Sequence, residues 1–120
     1  MDSNSFQFVL TMPGDARLVG AVRDLTAQAA SYARLSSEIG QSLAQHVVDA
    51  TQTVIEGTHS NDAPVEFRFD RNGAAIRITI SSEAAPDAAR PSSTSSGGLS
   101  IRWSREGSRQ ICEIQQHLSS

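Results

Sequence analysis

The chain has 120 residues, of which 38% are hydrophobic and 19% charged, with a formal net charge of −3. That allows one domain with a modest core, and a net-acidic chain does not offer the clustered cations that nucleic-acid phosphates require. All ten cations are arginine, which excludes a phosphate-loop lysine, a Schiff-base lysine and a lysine general base.

Phe6, Phe8 and Leu10 alternate with Gln7, Val9 and Thr11, the period of a half-buried strand. Pro13-Gly14-Asp15 breaks it, and Asp15 is a candidate helix cap. Leu18, Val22, Leu25, Ala29 and Tyr32 then recur at spacings of three and four, which predicts a helix with one apolar face. Ser36 and Ser37 interrupt the pattern and can cap a second helix, with Glu38 in its first turn. Its apolar stripe is Ile39, Leu43, Val47, Ala50 and Val54; its polar face holds Gln45, Asp49, Gln52, Thr53 and Glu56; Gly57 is the expected stop.

After a loop from His59 to Ala63, Val65, Phe67 and Phe69 alternate with Glu66, Arg68 and Asp70. Asn72-Gly73 is a strong hairpin signal because both residues tolerate positive φ. The return strand carries Ile76, Ile78 and Ile80 against Arg77, Thr79 and Ser81. Residues 83–98 are rich in Ser, Ala, Pro and Gly without periodicity, which predicts a flexible loop. Leu99, Ile101 and Trp103 form the next alternating run, Arg105 to Ser108 the turn, Arg109 to Gln116 the last strand, and His117 to Ser120 a tail. The expected fold is α+β: one domain, 1–120, a two-layer sandwich with two main helices on one face of a mostly antiparallel sheet of about five strands.

A strand ending in Pro13, a helix containing Arg17-Leu18-Val19 and Val22-Arg23, a second helix and a hairpin together resemble the anti-sigma regulatory factors. These are small bacterial serine kinases of the histidine-kinase-like ATPase superfamily, with the Bergerat fold. The resemblance covers roughly Phe6 to Ser82. The family's second helix carries Glu-Ala-x-x-Asn-x-x-x-His, and the corresponding residues here are Asp49, Ala50, Thr53 and Gly57. The resemblance places Asp49 at the general-base position and Thr53 at the magnesium-ligand position, where a hydroxyl replaces the family's amide. Asp49 and Thr53 are four apart and share a helical face.

The family's adenine-reading Asp-x-Gly-x-Gly corresponds to Ser81-Ser82-Glu83-Ala84-Ala85-Pro86, which has neither glycine and only Glu83 as an acid. Gly97-Gly98-Leu99 is similar in letters to the family's phosphate-cradling glycine segment, but Leu99 to Ser104 reads as a strand where the family has a helix. Loop 83–98 then stands in place of an ATP lid. What the resemblance implies is a degenerate member: a partner-switching regulator that binds a sigma factor or an anti-sigma antagonist, with self-association through the first helices and the sheet edge. No cofactor is expected. In that degenerate reading Asp49 is a vestigial base position and Thr53, Gly97 and Gly98 are vestigial cofactor contacts. Two alternatives stand beside it. One is an active serine kinase using ATP and magnesium, with Asp49 as base, Thr53 as magnesium ligand and Gly97–Gly98 as the lid. The other is an α+β oligomerisation or scaffold module unrelated to sigma regulation.

Each of these residues also has a plainer reading. Asp49 and Thr53 suit a solvated helix face, and Gly97-Gly98 a linker. His46, His59 and His117 are scattered, and with the lone Cys112 they make neither a metal site nor a catalytic pair. His46 is expected at the boundary of the apolar stripe, not as a phosphoacceptor, and Cys112 inside a strand as a small apolar residue. Trp103 and the hairpin face of Glu66, Arg68, Asp70 and Arg77 suit either a binding surface or an ordinary charged one. No apolar run reaches the ~20 residues of a bilayer span, and Met1–Ser5 lacks the order of a signal peptide. A complete cytoplasmic protein with neither membrane nor nucleic-acid partners is the expectation.

Overall fold

The computed structural model describes residues 6–13, 15–33, 35–56, 64–71, 75–83, 94–96 and 98–117. In chain order they form β1 (Phe6–Pro13), a 3-10 turn (Ala16–Leu18), α1 (Val19–Tyr32), α2 (Ser37–Glu56), β2 (Pro64–Arg71) and β3 (Ala75–Glu83). The chain then continues through β4 (Thr94–Ser96), β5 (Leu99–Glu106) and β6 (Arg109–His117).

Local chemistry sets the helix starts. The Asp15 carboxylate accepts the Arg17 backbone N–H at 2.9 Å and its guanidinium at 2.7 Å, while the Asp15 carbonyl accepts Leu18 N–H. Asp15 therefore caps the 3-10 turn, and the α-helix proper begins after it. At α2 the Ser36 hydroxyl accepts Ile39 N–H at 3.3 Å and its carbonyl accepts Gly40 N–H at 2.8 Å, the N-cap arrangement. Helix α2 ends at Glu56; Gly57 lies outside the described residues.

The strands form one sheet in the order β1-β2-β3-β6-β5-β4, every neighbouring pair antiparallel. Both helices pack on one face, so the molecule is the expected two-layer α+β sandwich. Two rungs cross the inner face: Phe8–Phe69–Ile78–Ile114–Ile101, and Leu10–Phe67–Ile80–Cys112–Trp103. Phe67, Phe69, Ile78, Ile80, Cys112 and Ile114 are fully buried at its centre. Phe8 stacks on Phe69 with ring centroids 4.8 Å apart. Above them lie Leu43, Val47, Ala50 and Val54 of α2, all buried as their spacing predicts. The Gln110 amide donates to the Val54 carbonyl at 2.9 Å and ties the end of α2 to β6.

Four expectations change. Tyr32 is 68% exposed, and Leu18 and Leu25 are half-buried, whereas Val19, Thr26, Ala30 and Ala33 are buried. The reason is that α1 packs against α2 as well as the sheet, which turns its buried arc toward small residues. A Cβ on Gly40 would stand 3.3 Å from that of Ala30, so the two helices meet closely there. The sheet has six described strands, because β4 lies within 83–98 and pairs with β5. Glu83 is the last residue of β3, and 84–93 lie outside the described residues. His117 is not tail but the end of β6, opposite Ala75. Trp103 lies on the inner face, packed against the core, and not with the hairpin charges. Those charges are on the open face, where Asp70 stands opposite Arg77 and Arg102 opposite Glu113.

Candidate functional site

The polar face of α2 was the sequence's candidate site. Asp49 is exposed there, and its carboxylate accepts the Gln45 amide at 2.9 Å, one helical turn before it. Gln45 in turn accepts Arg23 of α1 at 2.6 Å. Arg23, Gln45 and Asp49 thus make a polar chain across the outer surface of the two helices. Half-buried Thr53 donates its hydroxyl proton to the Asp49 carbonyl at 3.0 Å. That is the local back-bonding common to helical threonine, and it turns the oxygen toward its own helix.

Gly98 occupies a different part of the molecule. It turns the chain between Ser96 and Leu99 with φ +82, and its carbonyl accepts His117 N–H at 2.8 Å. A strand follows it, so no helix N-terminus gathers amide groups at this point. Gly97 lies outside the described residues. Thr53 is next to Val54, which is bonded to Gln110, whereas Gly98 is bonded to His117. Those two anchors are seven residues apart on β6, about 24 Å at the rise of a strand. The fold brings Asp49 and Thr53 together and holds Gly98 at the far end of the sheet.

Glu83, the acid nearest the adenine-reading position, accepts the Ser108 hydroxyl at 2.7 Å beside the β5–β6 turn. Arg109 donates to the Ser81 hydroxyl at 3.0 Å on the same strands. Both contacts bind neighbouring strands to one another. His46 is half-buried at the helix edge, His117 is exposed, and His59 lies outside the described residues. Among the described residues no three His, Cys, Asp or Glu side chains gather as a metal site. Burial, with Glu113 as the lesser cause, pushes the Cys112 thiol up to about 12, so it is protonated and unreactive near neutrality.

Sequence reasoning missed a second surface. Phe8, Leu25, Gln28, Ala29 and Tyr32 line an open hollow of about 300 Å³ between α1 and β1. Phe8 is 37% and Val9 52% exposed on the adjoining strand. The signal was present in Phe6–Pro13, a strand without a single charged residue. Among the described residues no helix is long and apolar enough to cross a membrane. No protein-family model and no curated protein matches this chain.

Proposed function

We propose that this chain is a protein-binding regulator of the anti-sigma type, which acts by holding a sigma factor or an anti-sigma antagonist and does not turn over ATP. Its scaffold has the layout on which the resemblance rests: a strand, two helices and a hairpin, with the helices layered on an antiparallel sheet. The observation that carries the reading is the state of the motif positions. The Asp49 carboxylate is engaged by Gln45, Thr53 is turned onto its own helix, and Gly98 is anchored to His117, seven residues along β6 from the Gln110 that holds the end of α2. A nucleotide bridged by magnesium needs base, metal ligand and phosphate cradle around one small volume.

Isothermal titration of the protein with ATP and magnesium tests the catalytic half of the reading. The expected result is no heat of binding at millimolar ATP. Micromolar binding overturns it in favour of the serine-kinase alternative, in which Thr53→Ala then weakens binding. The regulatory half is tested with purified sigma factors and anti-sigma antagonists of the source cell. A stable complex with one of them is expected. Failure to form any complex leaves the scaffold alternative in its place.

A further inference from the structure

The aromatic row on the inner sheet face ends beside a helix that runs past it. Phe8 and Phe69 stack with ring centroids 4.8 Å apart and planes 10° from parallel. That separation is about one strand spacing, so the rings follow one another across the sheet. One face of the Phe8 ring lies on Phe69, and the other points away from the sheet. β1 is the terminal strand, so the next place in the row falls just outside the sheet edge. Helix α1 borders that place. Leu25, Gln28, Ala29 and Tyr32 recur at spacings of three and four and form one stripe along the helix. With Phe8 they line the open hollow of about 300 Å³. The inner part of the stripe is packed, with Ala29 6% exposed, and its end is not, with Tyr32 68% exposed.

We infer that this hollow is a binding site for a small, neutral, planar aromatic molecule, which stacks on Phe8 and meets α1 along the stripe from Leu25 to Tyr32. Each part of that description follows from the lining. Planarity follows from the stack: a ring laid on the outer face of Phe8 continues the offset parallel arrangement that aromatic pairs favour. Neutrality follows from the walls, because no charged residue is among the five that line the hollow, and a charge held there would lack a partner. Size follows from the volume. An apolar cavity of about 150 Å³ holds one benzene ring, and ligand pockets begin at about 300 Å³, so the hollow takes two fused rings. Gln28 supplies the orienting group, since its amide both donates and accepts and can read a polar atom on the ring edge.

Five residues from one helical stripe and one strand enclose the volume, so a two-ring molecule meets all of them without reaching beyond the hollow. The site also gives Tyr32 a use. A large aromatic side chain at the end of an apolar stripe is left exposed because the stripe runs past the sheet edge, and there it forms a wall of the hollow. The inference is independent of which regulatory partner is held and of the motif positions on α2, since none of those residues lines the hollow.

The test is titration of the full chain with indole, with N-methylindole as the probe that lacks the ring N–H. Indole is expected to bind saturably with a dissociation constant on the order of 0.1–1 mM, since an open site covers only part of so small a ligand. N-methylindole is expected to bind several-fold more weakly. Tyr32→Ala weakens indole about fivefold, the worth of one lost aromatic contact, and Tyr32→Phe keeps the parent affinity. Gln28→Leu binds the two probes equally. Gln28 and Tyr32 are both exposed, and thermal unfolding of each variant verifies that it is folded. Amide chemical shifts locate the probe, with changes centred on Phe8, Leu25 and Ala29. No binding at millimolar indole, equal affinity of the parent for both probes, indifference to Tyr32→Ala, or shifts centred elsewhere overturns the inference. Binding of a tryptophan-bearing peptide without binding of indole overturns it equally, in favour of a protein partner.

Discussion

Cys112 shows how position converts an ordinary side chain into a pH-sensitive part of the fold. Its thiol is buried on the inner face between Ile80 and Trp103, and its ionisation is raised from 9.0 to about 12. A raised value in the folded state means that the native protein holds the proton more tightly than the unfolded chain. The associated stability is complete below pH 9 and is lost as pH rises from about 9 through 12. Denaturant unfolding across that window is expected to show falling stability in the parent and a flatter profile in Cys112→Ala. The chain has no lysine to titrate over the same range. Asp15 works in the opposite sense: hydrogen bonds from the Arg17 side chain and backbone hold its carboxyl below the usual range. That contribution is present above the unfolded value and fades as pH falls through the folded one. The capping role of Asp15 was legible in the sequence because Asx residues before a helix have few better uses for their oxygens. Cys112 was legible as a small apolar residue within a strand, buried or half-buried.

Among the elements, α2 was read closely and α1 was not, and the difference is physical. Helix α2 lies over the middle of the sheet, so its buried residues include the large apolar ones, Leu43, Val47 and Val54. Helix α1 has two neighbours, and the residues buried along it include Ala29 and Ala30, with Ala33 at its C-cap, which carry little hydrophobic signal. Tyr32 is large and aromatic and fits the core stripe by spacing, yet it is exposed beside β1. Gly40 marks the closest helix contact, so Gly40→Val drives two methyl groups toward Ala30, already 3.3 Å from an added Cβ. Overpacking of this kind costs about 1–3 kcal/mol. Chemical denaturation is expected to show that loss, with Gly20→Ala as the comparison that loses nothing and gains helix propensity, because nothing lies within 4 Å of that site. Strand faces were also legible, but strand offsets were not. The alternation of Phe67 and Phe69 with Ile78 and Ile80 fixes which face is inner. A slip by two residues preserves that pattern. The observed register, Arg71 opposite Ile76, leaves four residues between the paired ends. The Asn72-Gly73 hairpin signal falls between those ends, and both residues lie outside the described set.

At the scale of the whole molecule, one core serves every layer. Trp103 is remote from the helices in sequence yet packs against the same cluster as Val47 and Phe67. Unfolding followed by Trp103 fluorescence and by helical circular dichroism is therefore expected to give one coincident transition. Separate midpoints would mean that the β5–β6 hairpin unfolds on its own. The central pairing of β3 with β6 brings Glu83 to Arg109 and Ala75 to His117. Nothing local in either strand specifies that long-range choice. By itself the sequence determined what depends on near neighbours: two helices, alternating strands, the capping of Asp15 and Ser36, and the α+β class. It also placed Asp49 and Thr53 on one helical face, since four residues make about one turn. The tertiary structure alone decided that Gly98 sits far from them, that β4 joins the sheet, and that β1 forms an open edge. Those outcomes depend on which strands lie side by side, and pairing order is set by burial shared across the whole core, a quantity no short window of residues contains.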